Sequence, residues 1–409
     1  MRHHSYRYRP FHALLDKLIA LLPSVSSRKS ARPLDSVPQR ILVLKFGGMG
    51  EAVLASSLAS SLKNRRPSIQ IDFLAEDRTL EVARAAGTGD VYRYLPRKDG
   101  LWKAIRLLMR VRRSRYDAVL DFEQESLLTA VFVRLSSIPV RLGFSPAVPS
   151  PRSRMFTHVV QLREDESMWR LFLRLVRILD PGLPQSQQTV PLHYSDDAKA
   201  WAREWRRANG VGDLTNPLIA FHLGVGPSAQ YRRWPMERFV ELADLLVERL
   251  PDMFLILTGS RAEKPLIQSF ITRFRGQSVD ASDLGDLQRS LALVRSCDLL
   301  ISGDTGMMHL SAAMGTPTVG LFGPNSPGCW GPVGPRATSV YRTHRPCSPC
   351  INSYKRQIPQ RCTLPHESAC MWDISAEDVL QAAARIVDQS RVGLFLPQSS
   401  ILPRENAWR

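Results

Sequence analysis

Seven short apolar runs, each four to six residues long and separated by stretches of helical length, limit what this chain can fold into. They cover residues 41–46, 69–74 and 118–122 in the first half, and 218–223, 253–258, 299–302 and 318–322 in the second. A run this short that is mostly apolar reads as a strand buried on both faces. The stretches between them carry helical periodicity. In 235–250, for example, Met236, Phe239, Val240, Ala243, Leu246 and Leu250 share one stripe. Strands alternating with helices build parallel sheets covered on both sides. At 409 residues the chain exceeds what one core organises, and a polar, Trp- and Arg-rich stretch around 168–216 separates the two series. The expected class is α/β, with two Rossmann-like domains whose parallel sheets face each other across a cleft. The expected divisions are a lead-in and linker at 1–39, a first Rossmann-like domain at 40–200, a second at 201–390 and a tail at 391–409. Ligands then belong at the carboxyl ends of the strands, where helix N-termini aim their N–H groups at anions.

Composition narrows the class further. Hydrophobic residues at 44% and charged residues at 23% exclude a disordered, collagen-like or coiled-coil chain. No stretch approaches the roughly 20 apolar residues of a membrane span. Lys and Arg number 55 against 38 Asp and Glu, a net charge of +17 that favours anionic partners. Nucleic acid is not expected among them, because the positive charge is scattered and no aromatic-interleaved patch stands out. In the lead-in, Phe11, Leu14, Leu15, Leu18, Ile19 and Leu22 share one helical face. Such a helix suits either an anionic membrane surface or docking on the first domain. Asp16 and Lys17 interrupt it, so a secretory signal is not expected. The expected location is the cytoplasm, free or peripheral on the inner face of the cytoplasmic membrane. A second basic segment holds Arg97, Lys98, Lys103, Arg106, Arg110, Arg112, Arg113 and Arg115. Leu101, Ile105, Leu108 and Val111 are its expected buried stripe. The cations then form either a solvated face or an attraction for phosphorylated glycolipid or the anionic inner leaflet.

Three glycine-rich turns follow strands. Gly47-Gly48-Met49-Gly50 leads to Glu51, a carboxylate in the first turn of a helix, where it either stabilises the helix dipole or serves as a general base. The same turn matches the dinucleotide fingerprint only as Gly48-x-Gly50-x-x-Val53, with Glu76 as a ribose-binding acid. Asp121 and Glu123, at the end of the 118–122 run, are expected to face the cleft as well, as further candidates for the base or for ligand binding. In the second half, Ser302-Gly303-Asp304-Thr305-Gly306 hands a strand over to a helix that carries His309. Backbone N–H groups there, with the Thr305 hydroxyl, suit a diphosphate. The His222–Pro227 segment brings Gly224 and Gly226 to another strand end, followed by Arg232-Arg233-Trp234-Pro235. Arginines there can clamp phosphate oxygens, while Trp-Pro before a helix is also good architecture.

Taken together and in this order, the residues resemble glycosyltransferase family 9, the bacterial heptosyltransferases of the lipopolysaccharide core. The resemblance spans about residues 40 to 385. It rests on the opening strand and turn, His222 to Gly226 with Arg232-Arg-Trp-Pro235, Gly259-Ser-Arg-Ala-Glu263, Asp304-Thr-Gly-x-x-His309, Gly315-Thr-Pro and Phe322-Gly-Pro324. It implies a GT-B fold and an inverting, metal-independent transfer from a sugar nucleotide, typically ADP-heptose, to a lipid-linked saccharide. No cofactor and no metal are expected. The resemblance places the donor on Asp304, Thr305, Gly306, His309, Arg232, Glu263, Gly224 and Gly226. Arg232 stands where the family usually has Lys, and Glu51 where it has the Asp expected as base. Cys347, Cys350, Cys362 and Cys370 have C-x2-C-x11-C-x7-C spacing, and their wide second pair argues more for reduced thiols or an incidental disulfide than for zinc. Two alternatives stay open at this point: a catalytically degenerate sugar-nucleotide or glycolipid binder, and a nicotinamide-dependent oxidoreductase using Gly48, Gly50 and Glu76.

Overall fold

A computed structural model describes residues 38–94, 99–146, 148–164, 166–211, 216–342, 345–352, 357, 359, 362 and 368–387. The lead-in helix, Arg97, Lys98 and the tail lie outside the described residues. The chain divides into two compact units between Ser186 and Gln187. The helix Asp196–Ala208 belongs to the second, with Ala198 and Ala202 packed on Ala292.

The first unit is one six-stranded sheet built from β1 (Arg40–Lys45), β2 (Gln70–Ala75), β3 (Val91–Arg93), β4 (Ala118–Asp121), β5 (Val140–Ser145) and β6 (His158–Gln161), in the order β3-β2-β1-β4-β5-β6. Every pairing in it is parallel. The second unit contains β7 (Leu218–His222), β8 (Phe254–Gly259), β9 (Ser278–Ser282), β10 (Leu299–Gly303), β11 (Thr318–Phe322) and β12 (Ala337–Tyr341), ordered β12-β11-β10-β7-β8-β9 and again all parallel. Counted from its own first strand, each unit has the doubly wound order 3-2-1-4-5-6. In each, the chain leaves the first strand to one side and returns on the other. A crevice therefore opens at the carboxyl ends of β1 and β4, and another at those of β7 and β10.

The seven apolar runs are the central strands β1, β2, β4, β7, β8, β10 and β11. The other five strands have no such run. β9 (Ser-Val-Asp-Ala-Ser) and β12 (Ala-Thr-Ser-Val-Tyr) are edge strands with only one fully buried residue each. β5 places Arg141 inside the fold, where it donates to the carbonyls of Met155 at 3.0 Å and Ile138 at 2.8 Å.

The helix Leu101–Arg113 corrects one expectation. Of the proposed buried stripe only Val111 is buried; Leu101 is 75% exposed and Ile105 40%. Leu107 and Val111, four residues apart, face the cluster of Leu42, Leu44 and Tyr116 instead, so the helix is rolled away from its most apolar side. Among the described residues no helix is long and apolar enough to cross a membrane.

Trp234 shows why Trp-Pro precedes the helix Met236–Arg249. Its indole is buried, meets Phe239 edge-on at 4.7 Å and donates Nε1–H to the Ile374 carbonyl at 3.1 Å. It thus fastens the chain's return segment to the second core. Trp234→Ala is expected to cost about 3–5 kcal/mol, read as an earlier urea midpoint for the second unit. A loss below about 1 kcal/mol would contradict this anchoring role.

Candidate active site

At the carboxyl end of β1, Lys45 is buried, 2% exposed. Its ammonium pairs with Glu51, in the first turn of the helix Met49–Arg65, and with Glu123 at 2.8 Å, just beyond β4. Burial works against the Lys45 charge, but the two carboxylates outweigh it and hold its pKa above the ordinary lysine range. Glu123 Oε1 also accepts from the amides of Phe46 at 2.9 Å and Gly47 at 3.2 Å. Burial opposes its charge as well, yet Lys45 and these amides hold its carboxyl below the ordinary range. Glu51 differs. Burial pushes its carboxyl up, with Lys45 pulling the other way and Glu123 adding to the rise. Gly48 turns at φ +72°, and a Cβ there would sit 3.2 Å from the Glu51 carboxylate, so this glycine serves both the turn and the acid.

Asp121 does not face a crevice. It is fully buried, accepting from Arg152 at 2.9 Å and from the Thr129 hydroxyl at 2.9 Å. Burial raises its carboxyl, with Arg152 opposing. The oxidoreductase alternative fails on the same geometry. The Phe46 and Gly47 amides that would meet a dinucleotide's pyrophosphate are held by the chain's own Glu123, and Glu76 caps the helix Asp77–Ala85.

The second crevice is arranged differently. Beyond β10, Thr305 caps the helix Gly306–Ala313, leaving the first-turn N–H groups directed out of the helix end. Asp304 accepts from Arg232 Nη1 at 2.8 Å and from Asn325 Nδ2 at 2.8 Å. Its carboxylate therefore aims a cation rather than meeting an anion itself. A Cβ on Gly303 would lie 3.6 Å from the Arg232 carbonyl and from Val225, so the segment after β7 and the end of β10 are neighbours. Tyr231 Oη, Arg232 Nε and His309 Nδ1 are buried without a hydrogen-bond partner among the described residues. Such groups are costly unless something completes them.

His309 sits one turn into that helix, 5% exposed, its ring kept below the ordinary imidazole range by burial against the pull of Asp304. His222 shares a hydrogen bond with Thr258 at 3.1 Å, and burial lowers its pKa too, with Glu263 opposing. Both rings are thus neutral at neutral pH. Glu263 accepts from the Ser260 amide and hydroxyl, each at 2.8 Å, at the end of β8. A Cβ on Gly224 would fall 1.6 Å from Glu263 Oε1, so any side chain there would displace the Glu263 carboxylate. Gly226, by contrast, borders open space.

The structure thus joins Arg232 to Asp304, Thr305 and Gly306, and Gly224 to Glu263. Two residues at these sites were not singled out from the sequence. Lys45 had a signal, a lysine closing an otherwise apolar strand before glycines; Asn325 had only its place after Phe322-Gly-Pro324. The late cysteines gather around one small cavity with Tyr231, Pro324, Ser348 and Ser368. Burial, then the neighbouring thiols, push Cys370 up to about 12. Among the described residues, no three His, Cys, Asp or Glu side chains converge as a metal-ligand set.

Two doubly wound units, one ending in a buried carboxylate pair and the other in a guanidinium beside a helix start, have the architecture of the GT-B glycosyltransferases. A family model for glycosyltransferase family 9 (heptosyltransferase) matches residues 104–359, and the chain belongs to that family. It is 25% identical over 328 residues to lipopolysaccharide heptosyltransferase 2 of Escherichia coli K12, covering 74% of this chain and 87% of that protein. A family 9 glycosyl transferase from Veillonella parvula superposes with a TM-score of 0.72 at 19% identity, covering 87% and 99% of the two chains. The E. coli ADP-heptose LPS heptosyltransferase II gives 0.65 at 20% identity, with 85% and 98% covered.

Lys45→Met tests the buried carboxylate arrangement. Leaving Glu51 and Glu123 without their shared cation should cost about 3–5 kcal/mol at neutral pH. The loss should shrink as pH falls, because both carboxyl pKa values rise in the variant and protonation then favours its fold. Urea titrations at neutral and mildly acidic pH read both effects, and a deficit independent of pH would contradict the arrangement.

Proposed function

We propose that this enzyme transfers heptose from ADP-heptose to a lipid-linked saccharide in lipopolysaccharide synthesis, inverting the anomeric centre without a metal ion. The observation that carries the reading is the Arg232–Asp304–Asn325 arrangement beside the Gly306 helix start, at the strand switch of a family 9 chain. The ADP-heptose named for heptosyltransferase II supports the choice of donor.

In this reading the second unit holds the donor. The diphosphate meets the helix-start amides and Arg232, which Asp304 keeps aimed, while Glu263 and Gly224 flank the nucleoside. The first unit takes the acceptor. Glu51 accepts the proton of the attacking hydroxyl as the acceptor oxygen bonds to the anomeric carbon. The bond from that carbon to the phosphate oxygen breaks, and ADP departs with the electron pair. Attack opposite the leaving group inverts the configuration. Fixed N–H groups and the guanidinium stabilise the charge growing on ADP. A raised Glu51 pKa suits the base, since proton transfer is most effective when the base titrates near the working pH. Glu123, locked by Lys45 and two amides, supports the turn. The acceptor is presented at the inner face of the cytoplasmic membrane.

Glu51→Gln should lower kcat about 10²–10⁴-fold with little change in the KM for donor. In the wild type, kcat/KM should fall on the acid side above the ordinary carboxylate range, because the base is lost once its raised pKa is crossed downward. Chelators should leave the rate unchanged. Full activity in Glu51→Gln would refute the base assignment, and loss of activity on chelation would refute the metal-free mechanism.

A further inference from the structure

The helix Leu101–Arg113 carries outward the side chains that burial would ordinarily claim. Leu101 is 75% exposed, Trp102 77%, Ile105 40% and Met109 42%. Leu101, Ile105 and Met109 are spaced i, i+4 and i+8, which makes them one ridge, with Trp102 beside its first turn. Exposed cations accompany them throughout: Lys103, Arg106, Arg110, Arg112 and Arg113. Lys103 pairs with Asp99 at 2.6 Å, and Arg112 donates to the Leu135 carbonyl at 2.9 and 2.7 Å. Arg110 lies over the Tyr92 ring at 4.5 Å. Arg106, Arg110 and Arg113 have no carboxylate partner among the described residues. Beside the helix lies a shallow depression of about 300 Å³, lined by Asp90, Val91, Tyr92, Arg93, Leu107 and Arg110.

We propose that this helix is a membrane-docking surface, setting Leu101, Trp102, Ile105 and Met109 into the headgroup boundary of an anionic bilayer while Arg106, Arg110 and Arg113 meet lipid phosphates. The occupant follows from the combination of chemistries. An apolar ridge edged by unpaired arginines is complementary to a surface that is greasy beneath and anionic on top. Indole, amphipathic and flat, settles at that boundary. The docked helix lies in the plane of the surface, so the chain needs no spanning segment. The proposal deepens the reading of a lipid-linked acceptor, but its test needs neither donor nor acceptor.

Flotation of the full chain with vesicles of phosphatidylcholine alone, and with vesicles enriched in phosphatidylglycerol, tests it. Binding should require the anionic lipid and disappear at about 1 M salt, where the screening length falls to about 3 Å. Trp102→Ser with Ile105→Ser, and separately Arg106→Gln with Arg113→Gln, should each weaken partitioning about tenfold or more. ADP binding and thermal melting should stay as in the wild type, which separates lost docking from lost folding. Three outcomes would overturn the proposal. The wild type could fail to float with anionic vesicles. Both variants could float like the wild type, leaving the membrane to another segment such as residues 1–39. The serine variant could instead halve the mass seen by light scattering, making this face a contact between copies of the chain. Any of these, with transfer to a soluble acceptor intact, would leave the glycosyltransferase reading standing.

Discussion

A parallel sheet whose chain leaves its first strand on one side and returns on the other has no crossover loop to close the gap above its carboxyl edge. Both units have this gap, between β1 and β4 and between β7 and β10. The residues that matter reach it because strands end there. Lys45 is the last residue of β1, Glu123 follows β4 by two residues, and Gly303 ends β10. The topology thus decides where chemistry can occur, and the side chains decide what kind.

The two gaps are filled in opposite ways. In the first unit the chain satisfies itself: Glu123 takes two amides of the glycine turn, and Lys45 balances it against Glu51. Three buried charges hold one another there, and each is expensive to leave alone. Against its own burial, Glu123 is driven below its ordinary range by Lys45 and the amides, while burial drives Glu51 above it. Two acids of the same residue type are thus shifted in opposite directions by their surroundings. In the second unit the polar groups are left incomplete. Arg232 Nε and His309 Nδ1 are buried without partners among the described residues, and the helix start is capped by Thr305 alone. A site short of acceptors for its donors is suited to an anionic ligand.

Much of this architecture is legible in the sequence, for a physical reason. Strands buried on both faces must be largely apolar, with polar residues gathered toward their ends, so β1, β2, β4, β7, β8, β10 and β11 announce themselves. Edge strands such as β9 and β12 bury only one residue fully and look like loops. The helix Leu101–Arg113 misleads because periodicity reports that an apolar face exists, not what covers it. The second-unit turn is legible because a short turn between a buried strand and an apolar helix leaves the helix-start amides at the carboxyl edge of the sheet. The contrast between Glu51 and Glu123 is not, since it arises from Lys45 and from two amides nearly 80 residues away in the chain. Likewise, nothing in the spacing reveals that the Glu263 carboxylate lies against Gly224.

The central claim is that the second unit grips a diphosphate through Arg232, aimed by Asp304, beside the Gly306 helix start. Calorimetric titration of ADP into the wild type and into Arg232→Ala tests it most directly. Removal of one charged hydrogen-bonding clamp should weaken binding about 10- to 100-fold, with melting behaviour in the absence of ADP nearly unchanged. Equal affinity for ADP in the two proteins would contradict the account.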